Sequence, residues 1–267
     1  EQPLIQISLM QPYTISYSAS ATDLYFGTTF SDLKTLAPAE NTFILTDENL
    51  LRHYQEQLNP WRVISVPAGE PSKSLPVLND VIRQLIMLHA DRDALIIGFG
   101  GGMITDLAGF VAGIYKRGVR CAFLPPSILA MADAAVGGKN GLEIAEYTNM
   151  IGLVRQPEFV CYDFSLLKSL PIAEWTNGFA EIIKHACILD APMFATLQKY
   201  SLAHFQNHED SIAALLRKNV LLKAGMVQQD ELEKGKRKLL NFGHTLAHAI
   251  ENNYQLPHGH AVAIGII

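Results

Sequence analysis

Short apolar runs alternate with amphipathic stretches along the first part of the chain. The apolar runs, which predict short buried strands, are residues 42–46, 62–66, 94–99, 119–124 and 159–162, preceded by a predicted hairpin of residues 4–9 and 13–18. The stretches between them, which have apolar residues at i, i+3 and i+4 as in helices, are residues 48–58, 75–89, 103–115 and 128–135. This alternation predicts a parallel sheet covered by helices on both faces.

After the Leu170-Pro171 pair the strand pattern stops. The remaining apolar patterns are all helical, at residues 173–189, 193–204, 211–228 and 239–253. The chain has 267 residues, and single cores stop growing at roughly 250–300 residues, so we expect two domains. The prediction is an α/β domain over residues 1–171 followed by an all-α domain over residues 172–267.

The last eight residues, 260–267, form an apolar helical run without a cap or a polar tail. From this ending we expect the helical domain to be incomplete at its C-terminal end.

Charge and cysteine content narrow the class of partner. The net charge is −5 and no polybasic block occurs, which argues against nucleic acid and against an anionic membrane surface. Cys121, Cys161 and Cys187 lie far apart, so neither a disulfide framework nor a CxxC site is expected, and a reducing cytoplasm fits best. No secretory signal or membrane-spanning run is predicted.

A glycine triplet, Gly100, Gly101 and Gly102, joins the predicted strand 94–99 to the helix that carries Asp106. Such a turn lets the backbone approach a ligand and aims amide N–H groups at phosphate. The pattern is neither GxGxxG nor a P-loop, which disfavours a standard Rossmann enzyme and an NTPase. A tight structural turn is the alternative.

Polar residues follow two further predicted strands, with Asp47 after the first and Glu70 and Lys73 after the second. Ligands of open α/β sheets bind beyond the carboxyl ends of strands, so Asp47 and Glu70 are candidates for binding ribose hydroxyls. Helix capping by Asp47 and Ser72 is the alternative.

The helical part contains a candidate metal site. His244 and His248 are spaced i, i+4 on one predicted helix, His258 follows, and Glu181 offers a carboxylate with Lys184 on the same helix face. Two histidines and a glutamate with an open position are typical of catalytic zinc. A surface or capping role for the histidine pair is the alternative. Nearby candidates for binding anionic groups are Lys223, Arg237 and Asn241, unless these are scattered surface residues.

In addition, the sequence resembles the 3-dehydroquinate synthase family. The shared motifs, in order, are residues 46–49 (TDEN), 67–73, 100–110 (GGGMITDLAGF), 115–118 (YKRG), 129–139, 149–152 (NMIG), 178–184 (GFAEIIK), 239–251 and 258–265. The resemblance implies a Rossmann-like NAD-binding domain followed by a helical domain that binds zinc or cobalt. It also implies a lyase of the shikimate pathway for aromatic amino acids. Such a lyase converts 3-deoxy-D-arabino-heptulosonate 7-phosphate, a sugar phosphate, to 3-dehydroquinate and phosphate.

The resemblance assigns individual roles. The implied metal ligands are Glu181, His244 and His258, whereas His248 moves to proton transfer on the phosphate side, with Lys184 and Asn241 as further catalytic residues. The implied substrate-binding residues are Arg117, Asp133, Lys139, Asn149, Lys223 and Arg237. The implied NAD-binding residues are Asp47, Asn49, Glu70, Lys73, Gly100, Gly101, Gly102, Asp106 and Ser127. Arg117 matches an arginine that reaches the neighbouring subunit's phosphate site, which implies a homodimer.

The sequence departs from the family at several sites. Pro126-Ser127 and Ala134-Ala135 stand where hydroxyl pairs are usual, Thr105 replaces a common glycine, Thr148 a lysine and His260 a glutamate. A substrate-contacting lysine of the family has no counterpart before residue 267. Three alternatives stay open: a sister cyclase for another heptulose phosphate, a metal-dependent polyol dehydrogenase, and a non-catalytic binding protein.

Overall fold

The computed structural model of the chain describes residues 11–144, 147–254 and 256–267, without the side chains of residues 147–149 and 252. The chain forms two compact units. The first combines Glu1–Pro126 with Gly138–Asp163, and the second combines Ser127–Gly137 with Phe164–Ile267. The predicted boundary after residue 171 differs from this division, which starts the helical unit at Phe164 and adds residues 127–137 to it.

The first unit is built on a mostly parallel sheet. Its strands are β1 (Tyr13–Ser16), β2 (Ala21–Phe26), β3 (Thr42–Asp47), β4 (Arg62–Val66), β5 (Leu95–Phe99), β6 (Arg120–Leu124) and β9 (Phe159–Tyr162), in the spatial order β1-β2-β9-β6-β5-β3-β4. Only β1 runs antiparallel to its neighbour. The central strand β5 is buried along its whole length, as expected for a strand covered on both faces.

The strand order brings the polar and glycine-rich segments at the ends of three strands close together. From β3 the chain passes outward to β4 and then returns to β5 on the other side of β3. Asp47 is the last residue of β3, and residues 67–73 and Gly100–Gly102 directly follow β4 and β5. The first unit therefore presents them at one edge of the sheet, where open α/β sheets bind ligands.

Helices account for most of the remaining described residues. Those of the first unit are α1 (Phe30–Leu36), α2 (Glu48–Leu58), α3 (Leu75–Met87) and α4 (Gly102–Ile114). Those of the second unit are α5 (Ile172–Leu189), α6 (Ala191–Lys199), α7 (Leu202–Asn207), α8 (Glu209–Gln229), α9 (His244–Tyr254) and α10 (His258–Ile266). None of the described helices is both long and apolar enough to span a bilayer.

A two-stranded hairpin, β7 (Lys139–Ile144) with β8 (Tyr147–Val154), packs on α4 and was not predicted. Two glycines of α4 make the contact possible. A Cβ on Gly109 would lie 1.8 Å from the Asn140 side-chain oxygen, and one on Gly113 would lie 2.4 Å from a Leu153 methyl carbon. The hairpin therefore depends on the glycine spacing of a helix that precedes it in sequence.

Several predicted elements need correction. The predicted helix 128–135 contains a π-helical turn, Ala130–Ala134. The predicted helix 193–204 is two helices, because Tyr200 is extended and Ser201 caps a new one. The predicted helix 239–253 begins only at His244, after a 3₁₀ segment Lys236–Asn241 and a left-handed glycine at 243. Strand β2 and helix α1 were missed, β1 pairs with β2, and the predicted strand 4–9 lies outside the described residues.

The close approach at Gly109 predicts a stability difference between two glycine-to-alanine substitutions. Gly109→Ala should lower the free energy of unfolding by about 1–3 kcal/mol, because the hydrogen-bonded Asn140 side chain has to move. Gly225→Ala, in α8 with open space around the position, should raise it by about 0.5–1 kcal/mol. Urea unfolding of both variants measures the difference, and a stabilised Gly109→Ala would contradict the packing described.

Candidate active site

A buried carboxylate lies in the middle of α5. Glu181 is fully buried, and Lys184 and His185, one turn further along the same face, are almost fully buried. Lys184 Nζ forms an ion pair with Glu181 Oε2. Neither Glu181 oxygen has a hydrogen-bond partner among the described residues, so the charge is balanced by ionic contacts. A buried anion of this kind is costly unless cations surround it.

Two histidines approach the same oxygen from α9 and α10. His258 Nε2 lies 3.3 Å from Glu181 Oε1, and His244 Nε2 lies 3.9 Å from it. The Nδ1 atoms are engaged elsewhere, on the Phe242 carbonyl at 3.3 Å for His244 and on Glu251 Oε1 at 2.8 Å for His258. Because each Nδ1–H then donates to oxygen, both Nε2 atoms are oriented towards the carboxylate.

Close packing of α10 places His258 beside α5. The Gly259 amide donates to Asn177 Oδ1 at 2.6 Å, and a Cβ on Gly259 would lie 1.9 Å from the Asn177 carbonyl oxygen. Asn177 is one helical turn before Glu181, so this contact sets the first residue of α10 next to the carboxylate. A small core of Ala247, Ala261 and Val262 holds α9 against α10.

The three side chains could hold a metal ion. One ligand atom from each of Glu181, His244 and His258 lies within 4.8 Å of the other two. Burial and the positive charge of Lys184 lower the pKa of His244, and together they outweigh the Glu181 carboxylate, which raises it. The His244 ring is therefore neutral near pH 7. Burial lowers the pKa of His258, but the neighbouring carboxylates of Glu181 and Glu251 outweigh this and raise it to about 10. Without metal, His258 is therefore a cation next to Glu181.

A second buried cluster lies on the other side of Glu181. His185 Nδ1 lies 2.9 Å from Asn219 Oδ1, and Asn219 donates to the Ala132 carbonyl at 2.8 Å. This chain of bonds turns His185 Nε2 towards Asp133 Oδ1, 3.3 Å away. Lys223 Nζ contacts Asp133 Oδ1 at 2.5 Å and the Asp133 carbonyl at 2.6 Å. Asp133, Glu181 and His185 also have metal-ligand spacing, but Lys223 already neutralises the Asp133 carboxylate.

The loop before α9 fixes Arg237. The Asp230 carboxylate accepts from the amides of Lys234, Gly235 and Arg237 at 2.6–3.1 Å. The buried Arg237 guanidinium donates to the carbonyls of Glu231 and Gly137 at 2.6 and 2.8 Å. Arg237 thus joins this loop to the segment after Asp133.

Asn241 and His248 lie outside the buried cluster. Asn241 is exposed and donates to Glu233 Oε1 at 2.5 Å. His248 is exposed, with its ring 5.4 Å from the His244 ring, and does not join the ligand group. The grouping of His248 with His244 by helical spacing is therefore wrong for metal binding, as the family resemblance implied.

In the first unit, the glycine triplet forms a tight strand-to-helix turn. A Cβ on Gly100 would lie 2.4 Å from Ile104 Cβ, and α4 begins at Gly102. None of the three has a positive φ, so glycine is required here by close packing. The α4 N-terminus thus opens at the sheet edge with uncapped amides.

Lys73 stands beside this turn. Its Nζ lies 2.5 Å from Asp106 Oδ2 and 3.6 Å from Glu70 Oε1, and the side chain is buried. Burial lowers the pKa of Lys73, but the two carboxylates outweigh it and raise the pKa above its ordinary value. Three predicted NAD-side residues are therefore brought together as one charged group.

The other predicted residues are more scattered. Asp47 caps α2 by accepting from the amides of Asn49 and Leu50, and Asn49 accepts from Arg52, so the capping alternative is confirmed for Asp47. It is wrong for Ser72, whose hydroxyl donates to the Pro67 carbonyl, since Ser74 is the N-cap residue of α3. Ser127 belongs to the second unit, where its Oγ accepts from the Ala130 amide. Arg117 and Lys139 are exposed residues of the first unit, and the Asn149 side chain lies outside the described residues.

Sequence reasoning missed His185, Asn219 and Glu251. A signal existed for His185, which follows Glu181 by four residues and so shares its helix face. Nothing in the sequence pattern marks Asn219 or Glu251, because their partners come from other helices.

Comparison with protein families identifies two matches along the chain. The model described as 3-dehydroquinate synthase N-terminal matches residues 63–177, and the model described as 3-dehydroquinate synthase C-terminal matches residues 178–267. A 3-dehydroquinate synthase of Shouchella clausii is 43% identical over 243 residues, covering 88% of this chain and 67% of that one. One of Dictyoglomus thermophilum is 40% identical over 230 residues, covering 84% and 65%. The chain thus spans about two thirds of the length of these relatives.

Solved structures share the fold at lower identity. A 2-epi-5-epi-valiolone synthase from Streptomyces hygroscopicus subsp. jinggangensis, with NAD+ and Zn2+ bound, has a TM-score of 0.85 and 23% identity, covering 96% of this chain and 75% of that one. A 2-deoxy-scyllo-inosose synthase complexed with carbaglucose-6-phosphate, NAD+ and Co2+ has a TM-score of 0.83, 23% identity and the same coverage. A sulfoacetaldehyde reductase from Bifidobacterium kashiwanohense has a TM-score of 0.72 and 12% identity, covering 94% and 74%.

The protonated state of His258 predicts that metal binding releases a proton. Below the His258 pKa of about 10 the metal-free ring carries a proton that a metal must displace. Affinity for Zn2+ should therefore rise as the pH is raised from 7 towards 10, with about one proton released per ion at pH 7.5. Calorimetry in buffers of different ionisation enthalpy counts the protons.

Glu251→Gln is the matched control for this titration. It keeps an oxygen acceptor for His258 Nδ1 but removes a charge that raises the His258 pKa, so fewer protons should be released. Equal proton release by both proteins, or none by either, would contradict the charge state assigned to His258.

The buried pair of Lys184 and Glu181 predicts metal-dependent stability. Lys184→Met removes a countercharge from the buried carboxylate and should lower the free energy of unfolding of the metal-free protein by about 3–5 kcal/mol. Zn2+ should recover much of the loss, because the ion supplies positive charge at the same carboxylate. Lys218→Met, which breaks the half-exposed pair with Asp190, should change little in either state. A loss at Lys184 that is equal with and without Zn2+ would contradict this account.

Proposed function

Because the chain belongs to the 3-dehydroquinate synthase family, we propose that it converts 3-deoxy-D-arabino-heptulosonate 7-phosphate to 3-dehydroquinate and phosphate. By reaction type it is a phosphate-eliminating carbon–oxygen lyase of the shikimate pathway. The observation that carries the proposal is the convergence of the half-buried His244 and His258 on the buried Glu181, all in the part matched by the C-terminal family model.

The donor set fits a divalent metal. Two imidazoles and one carboxylate converge, the Nδ1 atoms of both rings are engaged, and the Glu181 oxygens have no hydrogen-bond partner among the described residues. Nitrogen and oxygen donors in this number suit zinc or cobalt with an open position. When bound, the ion would polarise substrate oxygens and stabilise developing negative charge on them.

The first unit fits a dinucleotide. The turn of Gly100–Gly102 is too tightly packed for a side chain at Gly100, and the N-terminus of α4 faces the carboxyl edge of the sheet. Backbone amides at such a helix N-terminus bind pyrophosphate. We assign Asp106 and Glu70, which are joined through Lys73, to the polar groups of the cofactor. When bound, NAD would supply a reversible hydride acceptor, which leaves no net NADH after a full turnover.

The chain's own cationic residues bind and orient the two anionic ends of the substrate. Lys223 Nζ has three protons, and two are directed at Asp133, so the third is available for the substrate carboxylate. Asp133 and the His185–Asn219 pair fix the position of this ammonium. Fixed cations of this kind hold one bound geometry over several chemical steps.

Residues around the carboxyl and phosphate ends complete the assignment. Arg237, held by two backbone carbonyls, is assigned to the carboxylate end, and Lys184, Asp133, Lys139 and Asn149 to the substrate hydroxyls. Asn241 and the exposed His248 are assigned to the phosphate end, where His248 Nε2 or Nδ1 can hold the proton of the leaving group. The phosphate itself can accept the proton of the neighbouring C–H, so a separate strong base is not required.

The proposal extends to the assembly and the compartment of the protein. Arg117 is exposed in the first unit and is proposed to reach the phosphate site of a second subunit, which makes the protein a homodimer. The cysteines are unpaired, with Cys121 and Cys161 buried and Cys187 exposed, which fits a reducing cytoplasm.

The proposal predicts phosphate release that requires catalytic NAD. With NAD and Co2+ or Zn2+, the protein should release one phosphate per heptulosonate phosphate consumed and form 3-dehydroquinate without accumulating NADH. Glu181→Gln should lose at least about 100-fold in kcat, because metal affinity and charge balance fail together. Chelation should abolish the activity.

The same assay separates the alternatives. Faster turnover of sedoheptulose 7-phosphate, which lacks the carboxylate, would favour a sister cyclase. Net NADH formation from a polyol without phosphate release would favour a dehydrogenase. No phosphate release from any heptulose phosphate with metal and NAD supplied would overturn the proposed function.

A further inference from the structure

The turn between α4 and β6 has a backbone that ordinary residues rarely adopt. Lys116 and Arg117 have φ angles of 50° and 71°, and Gly118 follows at 116°. Left-handed conformations are unfavourable for residues with a Cβ, and two in succession are less favourable still. Both side chains are exposed, so burial of apolar surface does not explain the conformation.

Arg155, just after β8, spans this turn. Its guanidinium donates to the Ala112 carbonyl at 3.0 Å and to the Val119 carbonyl at 2.6 Å. These two carbonyls lie before and after the left-handed residues. This planar group with two fixed donors reinforces the backbone hydrogen bond from the Val119 amide to the Ala112 carbonyl, and together they set the distance between the two ends of the turn.

The turn is shaped to receive this guanidinium. A Cβ on Gly118 would lie 2.8 Å from Arg155 Nη1, so the side chain lies against the glycine backbone. The Gly118 amide also donates to the Tyr115 carbonyl, and the Tyr115 hydroxyl donates to the Ala90 carbonyl. The Val119 amide donates to the Ala112 carbonyl at 2.8 Å, so removing Arg155 would leave this one backbone hydrogen bond between the two ends of the turn.

The backbone of Arg155 is itself held in place by hydrogen bonds. Its amide donates to the Gly138 carbonyl at 2.7 Å, and its carbonyl accepts from Asn140 Nδ2 at 3.0 Å. Asn140 is the residue seated on Gly109 of α4. The side chain therefore extends from an anchored hairpin, which is what a rigid support requires.

The residue that the turn presents has no described partner. No described residue makes a hydrogen bond or an ion pair with the Arg117 guanidinium. Unfavourable backbone conformations persist where the surroundings enforce them, and they concentrate at functional sites. A held turn that displays an unpaired guanidinium is suited to an anion supplied from outside this unit.

We propose that Arg155 is a positioning residue that holds the Lys116–Arg117 turn in its left-handed conformation and so aims Arg117 at the substrate phosphate. The inference rests on the proposed function through Arg117 alone. It adds a role for Arg155, which does not itself contact substrate. A purely structural Arg155 would instead act on stability independently of Arg117.

A double-mutant cycle separates these roles. The variants are Arg117→Ala, Arg155→Met and the double variant, with KM and kcat measured for the heptulosonate phosphate. Arg117→Ala should raise KM about tenfold or more, because a charge-assisted contact is lost. Arg155→Met should raise KM about threefold to tenfold, and the double variant should match Arg117→Ala within about twofold. Arg155→Lys, which keeps one donor, should fall between Arg155→Met and the unaltered protein.

Arg120→Met is the matched control. Arg120 is a neighbouring exposed arginine that pairs with Glu158 and makes no described contact with the turn, so KM should not change. Multiplicative effects in the double variant, or an unchanged KM in Arg155→Met, would overturn the positioning role. An unchanged KM in Arg117→Ala would overturn it as well, since the turn would then have nothing to aim.

Hydrogen exchange distinguishes failure of this inference from failure of the proposed function. Arg155→Met should speed exchange of the Gly118 and Val119 amides, which donate within and across the turn, whereas Arg120→Met should not. If the protein shows no turnover but this exchange increases, the proposed function fails and the hold on the turn stands. If exchange is unchanged, Arg155 does not hold the turn and the inference is wrong.

Discussion

The helical unit depends on one buried negative charge. Glu181 is inaccessible to solvent, and its carboxylate must be balanced by cations in the protein or by a bound ion. Without metal the balance comes from Lys184 and from a protonated His258, and binding of a divalent ion replaces the second of these. The stability of the helical unit, the proton released on metal binding and the metal affinity therefore all depend on the Glu181 carboxylate.

The packing around this carboxylate serves to bring distant segments to it. Asn177, one helical turn before Glu181 on α5, accepts a hydrogen bond from the Gly259 amide in the first turn of α10. This contact places His258 beside Glu181. On the opposite side, the π-helical turn carries Asp133, which is tied to α8 through Lys223. A π-helical turn is common at functional sites, and here it carries an acidic residue that a regular helix was predicted to present. Each contact depends on close backbone approach or on a buried hydrogen bond.

Much of the fold follows from the sequence, and the exceptions have physical causes. Strands such as β5 are continuous apolar runs, so the alternation of strands and helices, the parallel sheet and the helical second part were predicted correctly. The hairpin β7–β8 was missed because its buried Asn140 is polar and is stabilised by Gly109 of a different element. The helix at residues 239–253 was predicted too long because the left-handed conformation of Gly243 is not visible in an apolar pattern.

The sequence indicated which residues belong to the candidate site but not how their side chains are arranged. Helical spacing predicted that His244 and His248 share one face of a helix. Of the two, only His244 turns towards Glu181, because the packing of α9 against α10 decides which part of that face is buried. The family resemblance, in contrast, implies Glu181, His244 and His258 as the metal ligands. Asp47 shows the opposite case, because its capping hydrogen bonds to α2 are local and could be predicted from the sequence without any ligand. Contacts such as that of Glu251 with His258 require the tertiary structure.

The most direct test of the central claim is anomalous diffraction at the zinc edge from crystals of the metal-loaded protein. The account predicts one strong peak with Glu181, His244 and His258 as ligands at about 2.0–2.2 Å, and with Lys184 still near the carboxylate. A peak coordinated by Asp133 and His185 instead, or no peak at Glu181, would contradict it.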